Sequence, residues 1–215
     1  MFVTFEGVDR SGKTTQATLL FETLRARGER PVHLIREPGG TAISEQIRQI
    51  LLDRAHLELS ELTELFLFSA SRTQLVQQVI APALRRGEIV ICDRYYDSTT
   101  AYQGFGRGVN LDAIRQINSL AVNQTVPDLT ILVDVSAEET ERRRNATSEP
   151  VDRMELSGRT FFERVRAGYL ALAREEPERF LVVNGMRPIA EIAAEVQRTV
   201  ETRLMRRSKD VKSSH

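Results

Sequence analysis

The sequence predicts an α/β fold built on a five-stranded parallel sheet. Short runs rich in β-branched and aromatic residues alternate with longer segments of helical periodicity, which is typical of βαβ units. A glycine-rich loop separates the first of these runs from the first helical segment. The chain has 215 residues, of which 41% are apolar, and this suffices for the core of one domain without disulfide bonds.

Five short apolar runs are predicted to be strands that are buried on both faces. They are Phe2–Phe5, Pro31–Ile35, Ile89–Cys92, Thr130–Val135 and Phe180–Val183. The helices predicted around them are Lys13–Arg27, Ala42–Asp53, Ser60–Arg86, Asp112–Asn123, Ser157–Arg174 and Pro188–Arg206. Gly28 and Gly87 mark the ends of the first and third helices. Because the crossovers between strands are helical, the loops that follow the strands meet at one edge of the sheet, where a binding site is expected.

Residues 1–204 are expected to form one domain, because no repeat and no linker rich in Gly or Pro divides them. The segment 141–155 is polar, contains three consecutive arginines and a proline, and separates a predicted strand from a predicted helix. We expect it to form a short mobile lid. Residues 205–215 are polar and lack apolar periodicity, so this tail is predicted to be disordered.

Composition excludes several classes of protein. Thirty Lys and Arg residues balance thirty Asp and Glu residues, so the net charge does not favour a nucleic-acid polymer as partner. Cys92 is the single cysteine, and no Cys or His residues have the spacing of zinc ligands. The first ten residues include two acids, and no apolar run approaches the length of about 18 residues that a membrane span needs. We therefore expect a cytoplasmic protein without a membrane segment.

The glycine-rich loop, GVDRSGKT at residues 7–14, matches the phosphate-binding pattern G-x-x-x-x-G-K-[ST]. Its glycines allow successive N–H groups to point inward, and the helix that follows adds its positive N-terminus. Lys13 is expected to reach the β- and γ-phosphates of a nucleotide, and the Thr14 hydroxyl to bind Mg²⁺. The expected nucleotide-binding residues are Gly7, Val8, Asp9, Arg10, Ser11, Gly12, Lys13, Thr14 and Thr15.

The sequence resembles the thymidylate kinase family at six colinear stretches. These are FEGVDRSGKTTQ (5–16), REPGGT (36–41), LFSASRTQ (67–74), DRYYDSTTAYQG (93–104), PDLTILVDV (127–135) and DRME (152–155). A phosphate loop alone is typical of many nucleotide-binding proteins, whereas this set of stretches is specific to the family. The resemblance implies a three-layer α/β/α P-loop kinase fold with a five-stranded parallel sheet and a short mobile lid. It also implies transfer of the γ-phosphate of ATP, bound with Mg²⁺, to dTMP, which gives dTDP and ADP for dTTP synthesis.

The resemblance implies an acceptor-nucleotide site opposite the phosphate loop. Phe68 matches the family's residue that stacks on thymine, and Arg72, one helical turn later, matches the arginine that hydrogen-bonds the base. Gln103 matches a second base contact. Tyr102 matches the aromatic residue that disfavours a ribose 2′-OH, and Asp9 the acid that binds the 3′-OH. Two further residues are expected to line this pocket, Ser98 and Thr99.

Cations must hold the acceptor phosphate in line with the γ-phosphate. Arg36 and Arg94 are the candidates, because each lies just past the carboxyl end of a predicted strand, where a guanidinium can fork onto phosphate oxygens. Asp93 follows a buried run, as the acid of a second nucleotide-binding motif does, and is expected to act on Mg²⁺ through water. Glu37 is expected to serve either the metal or the acceptor side.

The expected catalytic residues are Arg10, Lys13, Arg94 and Arg153. Some family members carry the catalytic cation inside the phosphate loop, where this chain has Arg10, and others carry arginines in the lid. We expect Arg10 to stabilise the transition state and Arg153 to touch the transferring group. Either Arg143 or Arg144 is expected to pack near adenine or the γ-phosphate, and Ser148 occupies a position where a lid arginine could stand.

Two alternatives to a thymidylate kinase remain open. One is a kinase of the same fold that acts on another nucleoside monophosphate or on a deoxynucleoside. The other is a P-loop switch that binds partners according to its nucleotide state, although a switch does not need a second nucleotide pocket. Family members are commonly homodimers, so the resemblance also implies a homodimer.

Overall fold

A computed structural model describes residues 1–146 and 152–213. Five parallel strands form one sheet in the order β2-β3-β1-β4-β5. Their bounds are Phe2–Glu6 (β1), Val32–Arg36 (β2), Ile89–Asp93 (β3), Leu129–Asp134 (β4) and Phe180–Asn184 (β5). The predicted five-stranded parallel sheet is confirmed. Since β1 lies between β3 and β4, the loop after β1 opens at the point where the strand order reverses, and such points bind ligands.

The helices cover both faces of the sheet. Their bounds are Lys13–Arg27 (α1), Ala42–Leu52 (α2), Glu61–Leu75 (α3), Ala81–Arg85 (α4), Tyr96–Thr99 (α5), Leu111–Val122 (α6), Ala137–Asn145 (α7), Arg159–Glu175 (α8) and Ile189–Ser213 (α9). The long helix predicted at Ser60–Arg86 is divided by a π-helical turn at Val76–Ile80. Pro82 follows that turn and has no N–H to continue the regular ladder, which favours the wider turn there.

Three short elements were absent from the sequence-based prediction. They are the helix α5 with the π-helical segment Thr100–Gly106 that continues it, the polar helix α7, and a 3₁₀ turn at Met154–Ser157. None of them shows a long apolar periodicity. Part of the predicted lid thus folds as the end of α7 and as this turn, and its residues 147–151 lie outside the described part of the chain, Ser148 among them.

Helix α9 extends to Ser213 and so includes most of the tail, residues 205–215, for which disorder was predicted from the sequence. Arg, Lys and Met have good helix propensity, and adding turns to a helix that already exists is much easier than starting one. Residues 214–215 lie outside the described part of the chain. Among the helices that the structure describes, none is long and apolar enough to cross a membrane.

Alternate side chains of β1 enter two different cores. Val3 and Phe5 pack with apolar residues of α1 and α9 on one face of the sheet. On the other face, Phe2 packs beneath α3 and its π-helical turn. The apolar side of α8 packs beyond it against the segment that carries Tyr102. The fold therefore has three layers, as expected, and the polar residues at the carboxyl end of β1 are enclosed between them.

Candidate functional site

The phosphate loop joins β1 to α1 in a conformation that depends on glycine. Gly7 has φ of 141°, and a Cβ atom there would lie 2.5 Å from the carbonyl oxygen of Val133. Gly12 has φ of 97° and immediately precedes α1, so the first N–H groups of that helix face the loop. Val8 is buried in the core, the Ser11 hydroxyl is buried, and Thr15 is exposed. The loop thus provides an anion-binding concavity at a helix N-terminus.

Lys13 is the first residue of α1, and its side chain is buried at the cleft beside the loop. Burial, and then the nearby Arg94 guanidinium, lower the pKa of Lys13 below its ordinary value. Both effects disfavour the charged amine in the absence of an anion. A polyphosphate next to Lys13 would offset both effects and hold the amine in its charged form.

Thr14 and Asp93 form a pair suited to a magnesium ion. The Thr14 hydroxyl donates a hydrogen bond to Oδ2 of Asp93, the last residue of β3. Oδ1 of Asp93 is buried and has no partner among the described residues. Within the described ranges, no three His, Cys, Asp or Glu side chains converge, so this site does not enclose a metal with protein ligands alone. These donors therefore fit Mg²⁺, which keeps several waters and takes further ligands from substrate phosphates.

One cleft at the carboxyl edge of the sheet collects most of the predicted substrate residues. It is lined by residues of the phosphate loop, of the loops after β2 and β3, and of the helices α2, α3 and α5. Among the lining residues are Asp9, Lys13, Thr14, Arg36, Glu37, Phe68, Arg72, Asp93, Arg94, Ser98, Thr99, Tyr102 and Gln103. The structure therefore brings together groups that are almost a hundred residues apart in the sequence.

Arg94 lies at the centre of this cleft, directly after β3. Its φ is 70°, and its side chain lies 5.0 Å over the ring of Tyr102. Nη2 donates to Oδ1 of Asp9 at 2.6 Å and to the Tyr102 hydroxyl at 3.1 Å. The Tyr102 hydroxyl in turn donates to Oδ2 of Asp9 at 2.8 Å. Burial alone would raise the pKa of Asp9, but Arg94 and Lys13 outweigh it and hold that pKa below its ordinary value.

A buried carboxylate supports Arg94 from below. Nη1 of Arg94 donates to Ser98 and to Tyr169, each at 3.1 Å. Both hydroxyls also contact Oε2 of Glu6, at 2.6 Å from Ser98 and 2.9 Å from Tyr169. Burial, and then the charge of Asp97, raise the pKa of Glu6 to about 7. Sequence reasoning missed Glu6 and Tyr169; an acid at the end of an apolar strand was the available signal for Glu6.

A second buried pair closes the other end of the cleft. Nη2 of Arg72 lies 2.5 Å from Oε1 of Glu37 and also donates to Thr99 at 2.6 Å. Nη1 donates to Asn118 at 2.8 Å. Nε of Arg72 and Oε2 of Glu37 are buried and have no partner among the described residues. Burial raises the pKa of Glu37, and Arg72 opposes that rise. Arg72 is thus fixed through its terminal nitrogens, which leaves Nε for a ligand.

Two arginines near β2 face the cleft, and only one of them was predicted. Arg36 ends β2 and pairs with Glu45 at 2.8 Å, and its side chain is half-exposed. Arg48, in α2, donates to the carbonyl oxygen of Pro38 at 2.9 Å and also lines the cleft. Burial, and then the charge of Arg36, lower the pKa of Arg48. Sequence reasoning missed Arg48 because nothing in the sequence of α2 shows which face is turned to the cleft.

Arg153 packs beside the cleft and takes no part in its lining. Its side chain is buried and does not line the cleft. Nη2 donates to Oε2 of Glu64 at 2.6 Å, and Nε donates to the carbonyl oxygen of Leu51 at 2.8 Å. Its guanidinium joins the end of the predicted lid to α2 and α3, and this geometry gives no support to the expected contact with the transferring group.

The remaining predicted arginines are Arg10, within the phosphate loop, and Arg143 and Arg144, which end α7. Nε of Arg10 donates to Oε1 of Glu155 at 2.7 Å. Arg143 donates from Nη1 to the carbonyl oxygens of Arg10 and Ser11, at 3.2 and 3.0 Å. Its Nη2 donates to the carbonyl oxygen of Gly185 at 3.0 Å. Arg144 donates to the carbonyl oxygen of Glu155 at 3.1 Å. Arg143 therefore braces the phosphate loop against the loop that follows β5.

Comparisons with known proteins agree on one family. Residues 5–196 match the family described as thymidylate kinase. The thymidylate kinase of Trichlorobacter lovleyi is 46% identical over 209 residues, covering 95% of this chain and 98% of the relative. That of Chlorobaculum parvum is 46% identical over 194 residues, covering 86% and 88%. A crystal structure of thymidylate kinase from Ehrlichia chaffeensis superposes with a TM-score of 0.76 at 38% identity, covering 94% of this chain and 98% of that one.

Proposed function

Because the chain belongs to the thymidylate kinase family, we propose that the cleft at the carboxyl edge of its sheet is where ATP and dTMP meet. The chain is a nucleoside monophosphate kinase that phosphorylates dTMP to dTDP. ATP is the phosphoryl donor, with Mg²⁺ as its metal. The observation that carries the site assignment is the convergence of the phosphate loop, Arg94 and the pair Phe68 and Arg72 on one cleft.

The donor side of the proposed site is the phosphate loop. Its N–H groups and the N-terminus of α1 bind the phosphates of ATP, and Lys13 contacts the β- and γ-phosphates. Thr14 and Asp93 are the residues that would hold Mg²⁺. When bound with ATP, Mg²⁺ neutralises part of the charge on the β- and γ-phosphates. Arg143 keeps the loop in place from the adenine side.

The acceptor side is formed by side chains from seven different parts of the fold. Phe68 stacks on thymine, and Arg72 and Gln103 hydrogen-bond its edge. Tyr102 and Asp9 contact the sugar, and Ser98 and Thr99 support the pocket wall through Arg94 and Arg72. The acceptor phosphate is held by cations that line the cleft, namely Arg36, Arg48 and Arg94.

The transfer itself needs position and charge more than a base. An oxygen of the dTMP phosphate attacks the γ-phosphorus of ATP, and the bond from that phosphorus to the bridging oxygen of ADP breaks. A phosphate dianion is already a nucleophile, so no general base is required, and the loose transition state is stabilised by the fixed cations Lys13, Arg94 and Arg10. Glu37 supports the acceptor side through Arg72 rather than the metal.

Release of ADP in a coupled assay tests this function. ATP and Mg²⁺ are supplied with dTMP, dUMP, dCMP, UMP, dGMP or thymidine in parallel reactions. Strong turnover with dTMP, weaker turnover with dUMP and loss of turnover without Mg²⁺ are expected. Preference for another monophosphate or for thymidine would overturn the assignment of the acceptor pocket. Nucleotide binding without transfer to any acceptor would favour a nucleotide-dependent switch.

A homodimer is the proposed assembly. Three large apolar side chains on the neighbouring helices α3 and α6 are exposed, and they are Leu62, Phe66 and Leu120 at 56%, 58% and 81%. A patch of this kind is typical of a protein interface. Sedimentation equilibrium is expected to give twice the chain mass, and Phe66→Asp with Leu120→Asp is expected to give the monomer. A wild-type chain that sediments as a monomer would contradict the proposal.

Two further expectations accompany the function. Residues 1–204 are proposed to act as one kinase domain, with the segment 141–155 as its lid, and the family match over residues 5–196 supports a single domain. The cytoplasm is the proposed location, because ATP and dTMP are found there and because the single cysteine, Cys92, is a buried free thiol.

A further inference from the structure

We propose that Glu64 determines which nucleobase the acceptor pocket selects, by fixing the orientation of the Gln103 amide. Glu64 lies in α3, fully buried, and is not one of the residues that line the cleft. It is therefore a positioning residue that acts through Gln103. The inference rests on the proposed function, because it requires that a pyrimidine base occupy the end of the cleft near Phe68, Arg72 and Gln103.

The contacts of Glu64 leave the Gln103 amide one orientation. Nε2 of Gln103 donates to Oε1 of Glu64 at 2.7 Å. A glutamate between two guanidinium groups accepts hydrogen bonds and donates none. Arg153 donates to its Oε2 at 2.6 Å, and Arg107 approaches both oxygens at 3.3 and 3.4 Å. Turning the amide by 180° would set the oxygen of Gln103 against the carboxylate, which is repulsive.

Because the amide nitrogen is committed to Glu64, the amide oxygen is the group that Gln103 can present to a ligand. No described residue donates a hydrogen bond to that oxygen. Gln103 lines the cleft although its side chain is almost entirely buried, so a ligand would meet it in a dry environment. In such a place an acceptor that meets another acceptor is strongly disfavoured.

The hydrogen-bonding edges of pyrimidines make this orientation selective. Thymine and uracil carry an N3–H donor, whereas N3 of cytosine is an acceptor. An amide oxygen held toward the base therefore favours thymine and uracil over cytosine, and a flipped amide would favour cytosine. Glu64 thus distinguishes dTMP from dCMP without contacting either, while discrimination between dTMP and dUMP depends on the 5-methyl group and lies elsewhere.

The test is Glu64→Gln, assayed for kcat/KM with dTMP, dUMP and dCMP. The new amide has one acceptor oxygen, which accepts hydrogen bonds from Arg153 and Arg107. Its NH₂ group then faces Gln103 and can donate only to the oxygen of that side chain, so the Gln103 amide is expected to turn. The dTMP/dCMP ratio is expected to fall about tenfold, the equivalent of one hydrogen bond. The dTMP/dUMP ratio is expected to stay as in the wild type, because both bases have the same N3–H. An unchanged dTMP/dCMP ratio would overturn the proposal.

A matched control separates orientation from stability. Arg107→Gln removes one guanidinium from the same carboxylate but leaves Glu64 able only to accept. We expect this variant to melt at a lower temperature and to keep both substrate ratios. A fall in its dTMP/dCMP ratio equal to that of Glu64→Gln would assign the effect to general loosening of the pocket and overturn the proposal.

A double-mutant cycle shows whether Glu64 acts through Gln103. Gln103→Met has a similar shape and no polar atoms, so this single substitution is expected to lower the dTMP/dCMP ratio. Adding Glu64→Gln to Gln103→Met is expected to change that ratio no further. A further fall in the double variant would mean that Glu64 acts by another route.

A second variant and the wild-type preference separate the role of Glu64 from the proposed function. If Glu64→Gln does not fold, Glu64→Asp keeps the charge but is shorter by one methylene, which loosens the contact with Gln103, so a smaller fall in the dTMP/dCMP ratio is expected. Preference of the wild type for a substrate other than dTMP would overturn the proposed function itself. Preference for dTMP with no change of ratio in the Glu64 variants would overturn the positioning role alone.

Discussion

The proposed donor and acceptor sides of the cleft are held in place by different kinds of structure. The donor side is mainly backbone, in which two glycines and the N-terminus of α1 present N–H groups to a phosphate. The acceptor side is a network of buried side chains, centred on Arg94 and on Arg72. A backbone site is encoded in one contiguous motif, whereas a side-chain network draws on residues from the whole chain. The two sides should therefore respond differently to substitution.

The donor side should lose the most turnover when its single buried lysine is replaced. Lys13→Met is expected to lower kcat by about 10³-fold, because it removes a cation placed where charge develops on the transferring group. Stability is expected to be unchanged or higher, since burial already disfavours the charged amine. Steady-state kinetics with dTMP and a thermal melt measure both effects. Glu22→Gln, at an exposed position of the same helix, is the control and is expected to retain wild-type turnover.

The acceptor side should respond to a change of shape at constant charge. Arg94→Lys keeps the cation but loses the fork that contacts Asp9, Tyr102, Ser98 and Tyr169. We expect kcat/KM for dTMP to fall about 10²-fold, with little change in the KM for ATP. The control is Arg166→Lys, whose guanidinium forks onto Asp134 outside the cleft. Equal losses in the two variants would contradict a role specific to the acceptor.

The carboxylate beneath Arg94 should make part of the stability depend on pH. The pKa of Glu6 is raised from 4.5 to about 7, so folding favours its protonated form. Its contribution is fully present below pH 4.5 and is lost as the pH rises through 7, by up to about 3 kcal/mol. Glu6→Gln cannot ionise, so its free energy of unfolding should fall less than that of the wild type between pH 5 and 8. Urea unfolding across that range measures the difference, and parallel curves would contradict the assignment.

The donor side was predictable because its residues adjoin one another. The motif at Gly7–Thr14, the strand before it and the helix after it all follow from local pattern, and α1 has the predicted bounds. The sheet was equally predictable, since buried parallel strands are short apolar runs between helical segments. The end of α9 was not predictable, because polar residues in a continuing helix resemble a polar tail.

The acceptor side was predictable only through family resemblance, and incompletely. Local pattern does not show which polar residues converge, so Glu6, Arg48 and Glu64 were missed. Phe68 and Gln103 would otherwise pass for core residues. The segment Tyr96–Gly106, which carries Ser98, Thr99, Tyr102 and Gln103, lacks the regular periodicity from which helices are predicted because its turns are partly π-helical. Side-chain networks of this kind depend on the tertiary fold.

Of the substitutions proposed here, the replacement of Arg153 is expected to change turnover least. It also separates a structural arginine most clearly from the cations of the two sides. An arginine that stabilised the transition state would lose about 10²-fold or more in kcat when replaced, at little cost in stability. The buried guanidinium instead joins Glu64 to the carbonyl oxygen of Leu51, so Arg153→Met should leave kcat within about threefold of the wild type at a temperature where both are folded. The cost should appear in the free energy of unfolding, by about 3 kcal/mol, because the carboxylate of Glu64 loses its closest cation while it stays buried. Arg159→Met, which breaks an exposed pair with Glu163, is the control and should change neither quantity measurably. A large loss of kcat with normal stability would return Arg153 to the catalytic group and place the proposed lid, rather than the phosphate loop, at the centre of the donor side.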